Sequence, residues 1–249
     1  MRRSGRELAL GAAAVLFYLA LWHAGAVLAN RSLLLKIPLP LDTLRTFLRL
    51  CGEETFWRSV ARSVLRILCG FLSAAVLGAA GGMASFASGW FRWLSAPLLR
   101  LIRTVPVAAF ILLAWLWIPS RILPSFVSSL MVLPIIWSHV DAGLASVDER
   151  PLEMARIFGM SKRQILLKVR LPLMSPTLRT GCLTGVGIAW KAGVAAEVIC
   201  NPTDSVGALL QGAKAAIDYE RVFAVTLMVI LLSVLFENAL KLVWREPRR

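Results

Sequence analysis

Residues Asp148 to Arg170, DERPLEMARIFGMSKRQILLKVR, form a polar segment between long apolar blocks. Its first part, Glu149 to Phe158, predicts a short helix, and Gly159 can supply the left-handed residue that ends it. Ser161 is suited to cap a second helix over Lys162 to Val169, which is expected to end before the proline that follows. The segment is therefore predicted to form two short helices that meet at an angle.

Both predicted helices carry apolar residues on one face and basic residues at the rim. Leu152, Ala155 and Phe158 share one face of the first helix, and Ile165 and Val169 share one face of the second. Such an edge can dock into another protein, or it can rest on anionic lipid as an amphipathic hairpin. Judged from the residues alone, the two interpretations are equally good.

Six apolar blocks surround this segment, and each is long enough to cross a bilayer as a helix. Apolar types form 58% of the 249 residues, and the mean hydropathy is +0.71. A soluble domain could not cover its surface with so few polar residues. We therefore expect an all-α membrane protein with six transmembrane helices. The blocks are approximately Leu8–Ala29, Val60–Phe86, Pro97–Ile118, Leu123–Leu144, Leu178–Ile199 and Val222–Trp244.

Composition argues against several other classes of protein. The net charge of +14 does not indicate a nucleic-acid partner, because the Lys and Arg residues lie mostly at the ends of apolar blocks. The four cysteines show neither CxxC spacing nor neighbouring His clusters, so no metal site or redox pair is expected. The first block, Leu8 to Leu28, is too long for a signal-peptide core and is expected to be retained as a span.

Basic residues favour a topology with both termini in the cytoplasm, because the segments that are then cytoplasmic hold most of them. Residues 31–66 are an exception to this rule, since they are external in this topology yet strongly basic. Part of this segment, Leu41 to Leu50, is amphipathic, with Arg45 and Arg49 one helical turn apart, so it can lie along the membrane surface.

Residues 201–220 lie outside the membrane in the same topology. The spacing of Gly207, Gly212 and Lys214 is not that of a phosphate loop, which needs a contiguous G-K-[ST] after a strand. We expect an outer re-entrant segment whose short helix is capped by Asp204 or Ser205.

The spacing of residues in the polar segment resembles the EAA motif of binding-protein-dependent ABC importer permeases. That motif reads E-A-A, then a glycine four residues on, then I-x-L-P. Five positions agree, and Met154 and Val169 are conservative replacements, all without a gap. The matched positions are Glu153, Met154, Ala155, Gly159, Val169, Leu171 and Pro172.

This resemblance implies the MetI-like (type I) ABC importer permease fold, with six transmembrane helices and cytoplasmic coupling helices. It implies that this segment sits in a groove of a separate ATP-binding cassette subunit, which binds and hydrolyses ATP, so this chain needs no cofactor. The implied assembly in the cell inner membrane has two permease copies, most simply a homodimer, two ATPase subunits and an external solute-binding protein. The residues expected to couple to the ATPase are Glu153, Ala155, Gly159, Val169, Leu171 and Pro172.

Three other stretches extend the resemblance from about Ser59 to Trp244. Ser63 to Arg66 resembles the start of the family's transmembrane domain, and Pro97 to Pro106 resembles its P-x(n)-R-x-x-P segment. Gly187 to Trp190, with Ala196-Glu197, resembles the fifth span of the subgroup for sulfonates, taurine, nitrate and related small anions. The link between the third and fourth spans is shorter than that subgroup usually has, which puts the substrate in doubt.

Two ionisable residues, Lys191 and Glu197, fall inside the fifth block near Trp190. An ionised group at the bilayer centre costs at least about 2.5 kcal/mol unless it is paired or hydrated. The two residues point about 120° apart around a helix, so they are not expected to pair with each other. Either these three residues line the translocation path or its gate, or the charges have a structural explanation. In the second case each charge pairs with another helix, Asp141 being one candidate partner, or reaches the membrane surface, since Glu197 is near the outer end of the block. A cationic Lys191 would suit an anionic substrate.

The expected organisation is one permease core with a preceding helix. Residues 1–58 hold the first helix and an external or interfacial segment, residues 59–244 hold the core with its coupling loop at 148–172, and residues 245–249 form a cytoplasmic tail. Glycines in the second and fifth blocks, including the GxxxG of Gly181 and Gly185, indicate closely packed helices surrounded by membrane lipid.

Two other functions remain as alternatives. A secondary transporter should show internal inverted repeats, and none is convincing here. An intramembrane enzyme would need clustered catalytic groups, but His23 and His139 lie in different blocks without an HExxH, DxxD or Ser-His arrangement. We therefore expect no catalytic residue on this chain, and a transport subunit is the favoured interpretation.

Overall fold

The computed structural model describes residues 5–31 and 36–243, and every regular element in these ranges is helical. Within them, five helices are long and apolar enough to cross a membrane, and a bent pair makes a sixth passage if it is counted as one span. The helices are α1 (Gly5–Ala29), α2 (Pro40–Cys51), α3 (Glu54–Ala87), α4 (Gly89–Thr104), α5 (Val107–Trp115), α6 (Leu123–Ala145), α7 (Glu149–Ile157), α8 (Lys162–Ile165), α9 (Leu171–Cys200), α10 (Val206–Ala215) and α11 (Tyr219–Val243), with a π-helical turn (Leu166–Arg170) joining α8 to α9.

The centre of the bundle is α6, which packs against both α3 and α9, and α3 and α9 also contact each other. Glycines allow α3 to approach α6 closely. A methyl group added at Gly82 would lie 2.7 Å from the carbonyl oxygen of Trp137 and 2.7 Å from Cβ of Val140. One added at Gly78 would lie 2.9 Å from Cβ of Ile136. The α3–α6 contact is therefore made by backbone, as is typical of helices that associate in lipid.

A neighbouring face of α6 is approached by the GxxxG pair of α9. A methyl group at Gly181 would lie 2.8 Å from Cγ of His139, and one at Gly185 would lie 3.0 Å from Cγ1 of Val132. The close packing that these glycines predict is confirmed. These contacts, together with the direct contact between α3 and α9, hold the three helices of the transmembrane core together.

The third predicted span is broken. α4 ends at Thr104, α5 begins at Val107, and the two helices are bent by 102°. Pro106 is the cause, because a proline disfavours the helical conformation of the residue before it and has no N–H to donate. Val105 is accordingly extended, with φ −72° and ψ 129°. The expectation of a continuous helix over Pro97–Ile118 was wrong.

The polar segment forms the short helix α7 and begins a second helix at Lys162, as predicted. Asp148 caps α7, and Gly159 ends it with φ +70°. The amide of Met160 donates to the carbonyl of Ala155 at 3.1 Å, the bond that closes a Schellman turn. Ser161 then caps α8 in a reciprocal capping box with the residue three positions on.

The second short helix does not end where the sequence placed its end. α8 runs through the π-helical turn into α9, so Lys162 to Cys200 is one helical run. The wider π turn accommodates Pro172, which cannot donate a backbone hydrogen bond near the start of α9. The expected break before Leu171-Pro172 and the expected start of the fifth span at Leu178 were therefore wrong.

Other boundaries differ by a few residues, as is usual for helix ends. The second span starts at Glu54 rather than Val60, and the last helix starts at Tyr219 rather than Val222. Trp244, the predicted tail 245–249, and the basic residues Arg2 and Arg3 lie outside the described residues.

The glycine contacts of α6 can be tested with a methyl group. We expect Gly82→Ala to destabilise the folded bundle by about 1–3 kcal/mol, because the neighbours of the new Cβ are backbone and a β-branched Cβ, which cannot move aside. Unfolding of the purified protein in mixed micelles, titrated with a denaturing detergent, measures this change. Gly25→Ala is the control, since nothing lies within 4 Å of its added methyl group. Equal stability of the two variants would contradict the packing described above.

Candidate functional site

The first candidate site is the outer surface of α7. Leu152 and Ala155 are only 1% and 5% exposed, whereas Ile157 and Phe158 are 83% and 77% exposed. The sequence grouped Leu152, Ala155 and Phe158 on one face, but the structure separates them. The first two residues anchor the helix where it lies against α8 and the π turn, and Phe158 is left outward at the end of α7. With Met154, the outward set makes an apolar tip on an otherwise polar segment.

The motif residues predicted to couple to an ATPase do not form one surface. Glu153, Gly159 and Pro172 are exposed, and Ala155 is buried. Leu171 is half-buried and packs against the main apolar core, and Val169 is half-buried in the π turn. The motif therefore contains both outward positions and positions that hold the segment against the bundle.

A groove of about 510 Å³ separates this segment from the end of α3. Arg170 bridges the groove at one point, with its guanidinium carbon 4.7 Å from the centre of the Phe86 ring. Met83 and Leu144 add apolar lining, and Arg156 adds a positive charge. The polar segment is thus joined to α3 through this cation–π contact and to α9 through continuous backbone.

The second candidate site is an exposed face of α9. Thr180, Thr184 and Lys191 are all exposed, and their spacing puts them within about 40° of one another around the helix. In the described part of the chain, no carboxylate oxygen lies within 4.0 Å of the Lys191 ammonium. Asp141, a partner that the sequence offered, instead pairs with Arg92 at 2.6 Å. This polar face needs water or another subunit, because lipid cannot satisfy it.

Trp190 lies on a different side of α9 from Lys191. Its side chain is 1% exposed, and its indole Nε1 donates to the carbonyl of Val229 at 3.0 Å. Its ring meets that of Phe236 edge-to-face, with centroids 5.0 Å apart. In this conformation Trp190 belongs to the contact between α9 and α11.

Glu197 is completely buried at the other end of α9. The hydroxyl of Ser63 donates to its Oε2 at 2.6 Å, and the amide of Gly207 donates to the same oxygen at 3.3 Å. Arg66 reaches its Oε1 at 3.5 Å. Glu197 thus connects α3, α9 and the start of α10. It does not pair with Lys191, which agrees with the prediction made from the spacing of the two residues.

The loop between α9 and α10 is held to α3 by a second set of bonds. Arg66 donates to the carbonyl oxygens of Thr203 and Asp204 at 3.2 and 3.3 Å, and Arg62 pairs with the Asp204 carboxylate. Ser205, one of the two predicted caps, accepts from the amide of Ala208 at 2.9 Å. Sequence reasoning missed Ser63 and Arg66 as partners of Glu197.

One sequence signal could have identified these two partners. Ser63 and Arg66 are polar residues three positions apart inside an apolar block, so they share a face of α3. Polar side chains in such a place need a partner on another helix. Among the described residues, no group of three or more His, Cys, Asp or Glu residues could hold a metal ion.

Comparison with known proteins gives the family. Residues 67–249 match the family described as the binding-protein-dependent transport system inner membrane component. The chain is 30% identical over 248 residues to the taurine transport system permease protein TauC of Escherichia coli (strain K12), which covers 96% of this chain and 88% of TauC. It is 31% identical over 156 residues to the nitrate import permease protein NrtB of Leptolyngbya laminosa, which covers 59% of this chain and 53% of NrtB.

Among solved structures, a chain of the inward-facing MetNI methionine ABC transporter matches with a TM-score of 0.67 and 15% sequence identity, covering 78% of this chain and 97% of that one. At this identity the likeness concerns the fold, and it confirms the predicted MetI-like, type I arrangement. The family predicted from the Glu153 to Pro172 motif is confirmed as well. The chain therefore belongs to the binding-protein-dependent transport system inner membrane components and is the permease subunit of an ABC importer.

Proposed function

We propose that this permease carries a small anionic solute into the cell and that α7 transmits the movement of a separate ATPase to the bundle. The observation that carries the coupling proposal is the apolar tip of α7, with Ile157 and Phe158 exposed above the buried anchor Leu152. The relatives named for taurine and nitrate support an anionic substrate, since taurine carries a sulfonate and nitrate is an oxyanion.

The shape of α7 supports docking in preference to resting on lipid. An amphipathic hairpin that rests on lipid would turn its apolar face to the membrane, but the inner face of α7 is already covered by this chain through Leu152 and Ala155. The apolar residues that remain lie at the tip, next to the Gly159 turn. A small apolar tip on a polar segment fits a pocket in a protein partner. We assign that partner as the ATP-binding cassette subunit, two copies of which would hydrolyse ATP.

The segment from α7 to the π turn can transmit a displacement to the transmembrane helices. Backbone hydrogen bonds run from α8 through the π turn into α9, so displacement at α7 acts directly on a helix of the central core. The Arg170–Phe86 contact carries the same displacement to α3. Coupling residues such as Gly159 and Pro172 then shape the backbone of the segment, while Glu153 faces the partner.

The polar face of α9 supports a translocation path between two copies of the chain. Thr180, Thr184 and Lys191 would be costly against lipid, and a second permease copy related by two-fold symmetry would cover them. Lys191 would then offer a positive charge to an anion in the path. Glu197 and Trp190, buried in this conformation, would contribute where α9 moves against α3 and α11, with Glu197 acting at the gate.

The proposed orientation has both termini and α7 in the cytoplasm of a cell with an inner or plasma membrane. The basic residues of the α7–α8 segment support this choice. The loop between α9 and α10 would then face outward, toward an external solute-binding protein.

The coupling proposal predicts that Ile157→Ser lowers recovery of the ATPase with the permease at least about tenfold, because it removes an apolar contact from the docking tip. The measurement is co-purification of the two subunits from cells that express both. Ile217→Ser is a matched control, since Ile217 is 70% exposed in the loop before α11, at the other end of the bundle. Undiminished ATPase recovery with Ile157→Ser would sink the assignment.

The path proposal predicts that Lys191→Met abolishes most uptake of the anion while ATPase recovery stays normal, because only the charge in the path is lost. Lys191→Arg should retain a substantial part of the uptake. Uptake into proteoliposomes that contain the whole transporter is the measurement, and Lys214→Met, at an exposed lysine in the last turn of α10, is the control. Normal uptake by Lys191→Met would refute a role for this charge.

The orientation predicts which single cysteines are labelled from outside intact cells. In a chain whose four natural cysteines are replaced by alanine, Thr203→Cys should react with a membrane-impermeant maleimide. Ser161→Cys should react only after the cells are opened. Both residues are exposed, so access depends on the side of the membrane. The reverse labelling pattern would invert the proposed topology.

A further inference from the structure

Three arginines from separate parts of the chain line one cleft at the end of the bundle away from α7. The cleft measures about 480 Å³ and lies between α3, the connection from α5 to α6, and the loop from α9 to α10. Arg62 and Arg66 enter from α3, and Arg121 enters from the connection before α6. Ser125 and Thr203 complete the polar part of its lining.

The positive charge of this cleft exceeds the negative charge available to it. Arg66 pairs with the buried Glu197, and Arg62 pairs with Asp204. Within the described ranges, no carboxylate oxygen lies within 4.0 Å of the Arg121 guanidinium. Three guanidinium groups thus meet two carboxylates, and one positive charge is left without a counter-charge in the cleft.

Two of the three arginines, Arg62 and Arg66, are held in place before any ligand arrives. Arg66 is 13% exposed and is fixed by the carbonyl oxygens of Thr203 and Asp204. Arg62 is 50% exposed and so keeps donors free toward the opening. The first turn of α6, a helix of 23 residues that begins at Leu123, also borders the cleft through Ser125. The N-terminal end of its helix dipole adds to the attraction for an anion.

We propose that this cleft binds the anionic oxygen group of a small solute, such as a sulfonate, carboxylate or nitrate, before the solute enters the path. The placement of the cleft on the outer side rests on the function proposed above; the binding chemistry rests on the cleft alone. Its volume falls in the range of small-molecule sites, about 300–1,000 Å³. Guanidinium groups bind oxyanions through two parallel hydrogen bonds, which suits such a ligand.

The Asp204 carboxylate competes with a bound anion for the N–H donors of Arg62. This carboxylate occupies part of Arg62, and it sits in the loop that Arg66 holds by backbone contacts. The Asp204 carboxylate therefore reduces the positive charge that Arg62 and Arg121 offer to an anion in the cleft. The two kinds of charge substitution consequently have opposite effects on anion binding, which a general loss of folding cannot imitate.

The test is equilibrium binding of ethanesulfonate to the full-length permease–ATPase complex in nanodiscs of phosphatidylcholine, measured by isothermal titration calorimetry. Arg121→Gln should weaken binding at least about tenfold, because the uncompensated charge and its paired donors are lost. Asp204→Asn should tighten binding severalfold, and Asn tolerates the positive φ of 49° at this position. Arg58→Gln is the matched control, since Arg58 lies one turn earlier on α3, pairs with Glu54 at 2.9 Å, and does not line the cleft. It should leave the affinity unchanged.

Several outcomes would overturn the inference. These are the absence of saturable ethanesulfonate binding, a change of the same sign in Arg121→Gln and Asp204→Asn, or equal binding of the uncharged analogue ethyl methyl sulfone. Heat that is released on titration with phosphatidylglycerol but not on titration with ethanesulfonate would identify a lipid phosphate as the ligand. That result would also overturn the inference. Failure of the ATPase to co-purify would count against the proposed function instead, and the binding experiment could still be read on the permease alone.

Discussion

Helix backbone packs directly on α6 from two neighbouring helices, α3 and α9, and these close contacts hold the core together. In lipid, apolar side chains gain little by leaving their solvent, so helices associate where small residues let backbones meet. Gly78 and Gly82 let α3 make this contact, and Gly181 and Gly185 let α9 make it on a neighbouring face of α6. Because α6 is packed this closely, it sets where α3 and α9 lie relative to each other in this conformation, and therefore where the features at their ends lie.

The two ends of α9 lie next to two different features of the molecule, the apolar tip of α7 and the buried carboxylate of Glu197. At one end, α9 continues without interruption through the π turn into the segment that bears the apolar tip. At the other end, Glu197 is buried among donors from α3 and α10. Under the proposed function, α9 joins the ATPase contact at one end to the outer gate at the other end, where Glu197 forms its hydrogen bonds and ion pair. A single continuous helix between these two places suits a permease. Lys191 lies between these ends on the exposed face.

Local signals in the sequence predicted local structure well. The glycine at 159 and the serine at 161 are found in the turn and cap roles that their chemistry favours, because such motifs depend only on neighbouring residues. The apolar blocks predicted the spans for the same reason. The predictions failed where two signals competed. Apolar composition outweighed Pro106 in the prediction of a straight third span, and Pro172 was treated as a helix break although a π turn accommodates it.

The apolar blocks were sufficient to show that this chain crosses the membrane several times, and the spacing from Glu153 to Pro172 was sufficient to indicate its family. Both conclusions depend on the order of residues along the chain. The folded structure was needed to show which side chains of α7 are anchors and that Glu197 is joined to Arg66, a residue 131 positions away. The arginine cleft likewise joins α3 to the connection before α6. Contacts between residues so far apart depend on how helices pack, and periodicity along one helix carries no information about its neighbour.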